Sequence, residues 1–195
     1  MSVLDPVAQG SLRYHPELRA IFKAAESRQM TEQELDEYCR VVPEHKKRAD
    51  AAREISRIEQ EVVSAITDEI LAVYPFEQYY QYSQVKINRD VRYTSAYATE
   101  AMLMQDAAWL DEKLLVWLRT ILLAFDFPDR VQKKKVLFAR QSTDSQIDLL
   151  PVPMRSVYET YYKLKQRYQE MLSPSAYALI EPYLQQVLNT LTEQY

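Results

Sequence analysis

Lys86-Ile87-Asn88-Arg89-Asp90-Val91-Arg92-Tyr93 opens a stretch in which Val91, Ser95, Ala98 and Met102 recur at helical spacing. The periodicity predicts a long helix over 86–104 with one apolar, small-residue face. Small side chains along a helix admit close approach of another helix or of a flat ligand. The polar opening of the same segment crowds Lys86, Arg89 and Asp90 into little more than one turn.

Glycine is nearly missing from the rest of the chain: of 195 residues, only Gly10 is one. Strand-rich folds use glycine in turns and bulges, so its scarcity points to helices joined by short polar connections. Good helix formers dominate, and all-α is the fold class they predict. The length suits a single domain, 1–195, with a sizeable core. Short helices are expected at 4–9 and 16–27, forming an amino-terminal hairpin extension over 1–30. Thr31-Glu32-Gln33-Glu34 carries the capping-box pattern and starts a helix that runs to about Val42, before Pro43.

From 44 to 74, Ile55, Ile58, Val62, Ala65, Ile66, Ile70 and Val73 make one apolar stripe, ended by Pro75. A helix beginning near Trp109 carries Leu114, Leu115, Trp117, Leu118, Ile121, Leu122 and Phe125. It is apolar on nearly every side, which predicts a central buried helix with Trp109 and Trp117 in the core. Residues 126–152 read as a loop insertion with a short helix around 130–140. Helices resume over 154–172 and 173–193, where Pro182 is expected to kink or split the last one.

The formal net charge of −4 argues against a nucleic-acid partner, which would require a basic face. Lys133-Lys134-Lys135 reads as a solvated loop. Cys39 is the single cysteine, so no internal disulfide can form, in keeping with a reducing compartment. The apolar run over 114–125, broken by Arg119, is shorter than the ~20 residues a bilayer span needs. A cytoplasmic protein that can sit against a membrane complex, such as one at the thylakoid, is expected.

Neither His15 nor His45 lies near 86–125, so no haem is expected. No nucleophile–base set, phosphate-cradling glycine loop or metal-ligand spacing is present, so the reading is of a non-enzyme with no catalytic residue and no metal site.

Five segments occur in an order and spacing that resemble the phycobiliproteins, the bilin-carrying globins of cyanobacteria and red algae. They are Arg28 to Leu35, Arg48 to Pro75, Arg89-Asp90 with Tyr93, Leu110-Asp111-Glu112 with Leu114, and Ser173 to Val187. The resemblance implies a globin-like fold with an amino-terminal helical hairpin. It further implies that Asp90 accepts hydrogen bonds from the inner pyrrole N–H groups of a linear tetrapyrrole, such as phycocyanobilin or biliverdin. By the same resemblance Arg89 and Lys86 pair with its propionates and Tyr93 lines its ring.

The departures are selective. Ile87 stands where the family carries its thioether cysteine, and Ala96 where it carries an arginine bridging two subunits. Two readings follow. One is a relative that binds a bilin non-covalently, in bilin handling or a phycobilisome-associated role. The other is a pigment-free module docking on a phycobilisome, a photosystem or an assembly or degradation factor. A homodimer through the amino-terminal hairpin is compatible with both. Arg89-Asp90 itself reads either as a bilin contact or as a helix cap with a surface ion pair.

Overall fold

The computed structural model describes residues 12–74, 76, 81–124 and 152–192. Among these, a turn at Leu12–Tyr14 leads into α1 (Pro16–Ala24) and α2 (Glu32–Val41). After a second turn, Pro43–His45, come α3 (Lys46–Val73) and α4 (Ser83–Met104). The short α5 (Ala107–Leu110) passes through a π turn at Asp111–Leu115 into α6 (Val116–Ala124). α7 (Val152–Met171) and α8 (Pro174–Thr192) complete the order. No strand occurs among the described residues, so the all-α, globin-like expectation holds. The expected helices at 4–9 and 130–140 lie outside the described residues, as does the expected insertion at 126–152 except for Val152, which opens α7.

The local signals act as their chemistry requires. The Thr31 hydroxyl accepts from the Glu34 N–H at 3.2 Å, and Glu34 accepts from the Thr31 N–H at 2.8 Å. Arg28 clamps the same carboxylate at 2.7 Å and, with these bonds, holds its pKa down at about 2. With almost no glycine to use, the chain places Ser27, Tyr82 and Gln105 in the left-handed region, with φ of 69°, 59° and 54°. Each such placement of a non-glycine costs about 1–2 kcal/mol.

α3 and α4 pack on one another and on α7 and α8, which also pair together. From Thr94 to Met104 every residue of α4 is buried. Ser95, Ala96, Ala98 and Ala101 keep that stretch thin enough to be enclosed. Its hydroxyls are satisfied internally, Thr94 donating to the Asp90 carbonyl at 2.8 Å and Thr99 to that of Ser95 at 2.9 Å. Ser95 Oγ lies 2.5 Å from the Tyr168 hydroxyl of α7 and accepts from Gln29 at 2.8 Å. α1 is tied down by Arg13, which bonds Asp106 at 2.5 Å and Glu112 at 3.1 Å.

Three expectations are corrected. α6 is not the central buried helix; α4 is. The π turn resets the register so that Leu114, Leu115 and Leu118 enter the core. Val116 and Trp117 are left outward, 62% and 51% exposed, so Trp117 is not a core residue, whereas Trp109 is half-buried against the core. Pro182 does not split α8, which runs unbroken through it. Pro182 and Ala178 both sit on the exposed side, where the carbonyl left without a donor meets water.

Glu100 is a further exception in the core. It is 2% exposed, and burial above all pushes its carboxyl up to about 8, against the lowering bond from the Trp109 indole. The folded chain therefore retains a proton that the unfolded chain releases near its ordinary value. The stability this confers is complete below the unfolded pKa and is lost as pH rises through the folded one. Relative to Glu100→Gln, the unmodified protein should lose thermal stability steadily from about pH 5 to about pH 8, read as a widening gap between the two melting temperatures.

Candidate functional site

α4 begins at Ser83, a turn earlier than the sequence periodicity implies, after Tyr82 in the left-handed conformation. Arg89 and Asp90 therefore lie inside the second turn rather than at the helix start, which removes the capping reading. They do form an ion pair. Arg89 Nε and Nη2 both approach the same oxygen, Asp90 Oδ1, at 2.8 and 2.7 Å. With Arg89 45% exposed, the pair contributes at most about 1 kcal/mol to stability.

The consequence lies on the other oxygen. Asp90 Oδ2 has no hydrogen-bond partner among the described residues. Asp90 sits on the wall of a cavity of about 290 Å³ between α3, the first turns of α4, α6 and α7. Burial raises the Asp90 pKa, opposed first by the Arg89 hydrogen bond and then by the charges of Arg89 and Lys86. The site thus holds a half-buried carboxylate whose charge is only partly compensated. A donor arriving at Oδ2 would complete its solvation.

The walls divide by chemistry. Ile70, Ile87, Val91, Ile121, Leu122 and Val157 give an apolar lining, closed on one side by the exposed indole of Trp117. Thr160 and Tyr161 of α7 add hydroxyls. Tyr161 is buried, and that burial raises its pKa; a bond with Thr94 lowers it and the Asp90 charge raises it again. Lys86 and Arg89 supply the cations on the exposed side. The volume falls at the small end of sites that hold drug-sized ligands, ~300–1,000 Å³.

Of the four residues singled out from sequence, the fold brings Lys86, Arg89 and Asp90 to this cavity and leaves Tyr93 off its lining. Tyr93 is half-buried and packs against the core instead. The reason is helical geometry: three residues beyond Asp90, α4 is already sinking into the bundle. Phe76, Trp117 and Tyr161 are the aromatic residues on its lining, and the sequence concealed Trp117 because an apolar helix reads as uniformly buried. The π turn that re-aims it is a feature that recurs at functional sites.

Cys39 lies on α2, away from this cavity, and Ile87 lines it. Both ring nitrogens of His45 are engaged, Nδ1 with the Tyr38 hydroxyl and Nε2 with Gln105, each at 2.7 Å. No group of acidic, histidine or cysteine side chains placed to hold a metal occurs among the described residues. No helix among them is long and apolar enough to cross a membrane.

A family model described as phycobilisome protein matches residues 21–148, roughly two thirds of the chain. The match includes the whole of α4 and α6, and so Lys86, Arg89, Asp90 and Trp117, while α7 and α8 fall beyond it. No curated protein sequence and no solved structure matches the chain.

The placement of the two tryptophans is directly measurable. Trp109→Phe, which leaves Trp117, should emit to the red of Trp117→Phe. Its acrylamide quenching constant should be about twofold or more larger, because the remaining indole is half in water.

Proposed function

The chain belongs to the phycobilisome protein family, and on that premise we propose that it binds a linear tetrapyrrole non-covalently at the α4 cavity. The role is bilin handling, or an accessory one beside the phycobilisome, and it is non-enzymatic. The observation that carries the reading is the Asp90 carboxylate on an apolar cavity wall, with Oδ1 held by Arg89 and Oδ2 without a hydrogen-bond partner among the described residues.

A carboxylate in that state accepts from pyrrole N–H groups through charge-assisted bonds, roughly twice as strong as neutral ones. Arg89 and Lys86 pair with the propionates, where the planar guanidinium suits a carboxylate. Trp117 takes the ring-facing place that the sequence resemblance assigns to Tyr93. Ile87 and the distance of Cys39 from the cavity support binding without a thioether. When bound, the bilin supplies visible absorption; the protein supplies its orientation and its charge partner.

Membership of the family implies assembly with other phycobiliproteins. The exposed Tyr82, Val85, Val116 and Trp117 favour a second reading, a pigment-free module whose apolar surface docks on such a protein or on a photosystem. There Ala96, buried in α4, removes the bridging arginine of the family, and contact is made elsewhere.

Co-expression with haem oxygenase and a bilin reductase separates the two. The expected product is a coloured protein that loses its pigment on denaturation; a colourless one sinks the tetrapyrrole reading. Asp90→Ala should reduce bound pigment about tenfold or shift its absorption to the blue, since a charge-assisted bond contributes about 1.5–3 kcal/mol. Ile87→Cys should retain colour after denaturation, because it restores a thiol on the cavity wall.

A further inference from the structure

Farther along α4 a second cavity, of about 630 Å³, opens between α1 and the π turn. The tetrapyrrole reading makes no use of it. Glu100 lies at its floor, 2% exposed. One carboxyl oxygen, Oε2, accepts from the Trp109 indole N–H at 2.9 Å. The other, Oε1, is buried with no hydrogen-bond partner among the described residues. Leaving such an atom unsatisfied costs about 1–3 kcal/mol. A buried orphan beside a cavity calls for a partner, and a ligand in the cavity can supply it.

The sign of that partner follows from the groups around it. At neutral pH Glu100 keeps its proton, as its carboxyl is pushed up to about 8. With Oε2 already accepting, the proton belongs on Oε1, which then donates into the cavity. Lys113 from the π turn lies 4.8 Å over the same Trp109 ring and 3.8 Å from Glu26. Arg19 and Lys23 of α1 also line the cavity, and Arg28 reaches Glu100 through its charge. Against these cations stand the carboxylates of Glu26 and of Glu34, the latter clamped by Arg28, which leaves Arg19, Lys23 and Lys113 against Glu26 alone; Tyr97, raised by its own burial, is neutral.

A cationic ligand would meet this positive excess, and an apolar one would leave Oε1 unsatisfied. Phe22, Tyr97 and Trp109 provide an aromatic lining for an apolar body. We propose that this cavity is a second binding site, for a small organic carboxylate with an aromatic or aliphatic body, held between the Glu100 Oε1–H and the Lys113 ammonium.

Calorimetric titration with 2-naphthoate tests it. The full chain should bind one equivalent at about pH 7 and about tenfold more weakly at about pH 9, as Glu100 gives up its proton and turns from donor to anion. Glu100→Gln keeps a neutral donor and should bind with less than about twofold change between the two pH values. Glu100→Leu removes the donor and should lose about tenfold or more at pH 7, with Lys113→Ala losing several-fold. Absence of binding at pH 7, equal affinity of the unmodified protein at both pH values, or indifference to Glu100→Leu would overturn the proposal. If Glu100→Leu fails to give a native circular-dichroism melt, the pH profile of Glu100→Gln against the unmodified protein decides alone.

Discussion

Enclosure of α4 from Thr94 to Met104 on every side is the constraint on which the rest of this structure depends. A helix buried all round must be thin and must satisfy its own polar groups. The alternation of Ala and Ser with threonines bonded back to the preceding turn meets both requirements. Close approach of α3, α7 and α8 follows. The first turns of α4, from Ser83 to Val91, line one cavity, and within the buried stretch Tyr97 and Glu100 line a second.

Two cavities flank this buried helix, and they differ in kind. The one at its start joins an apolar lining to a carboxylate that Arg89 grips by one oxygen. The one at its far end joins aromatic walls to a buried neutral acid with cations around it. Both use a carboxyl group with one oxygen committed to the protein and the other left over. Electrostatics separates their roles: Asp90, beside Arg89 and Lys86, is placed to accept, and Glu100, desolvated and protonated, to donate. The ties of Arg13 to Asp106 and Glu112, and of Ser27 to Tyr97, hold α1 over the second cavity.

Much of the site was legible in the chain. Lys86, Arg89 and Asp90 occupy successive turns of one helix, so any fold that keeps the helix keeps them together. Ile87 falls on the same side, which is why the loss of a thioether is readable without coordinates. Tyr93 lies off the cavity lining because helical spacing predicts adjacency along a face and not the depth to which that face sinks. Trp117 and the exposed side of α6 escaped for a related reason: a helix apolar all round gives no preferred face, and a one-residue π insertion leaves no compositional trace.

The sequence by itself determined that this protein is helical, where most of its helices start, and that a thiol is missing from the helix that its family uses to hold pigment. Those properties are local, set by caps, prolines, glycine scarcity and residue identity. Only the tertiary structure decided which oxygen of Asp90 Arg89 takes, which cavity each indole lines, and that Glu100 Oε1 is buried with no hydrogen-bond partner among the described residues. Each of these depends on what packs against a side chain from a distant part of the chain, and burial of that kind has no counterpart in a local pattern.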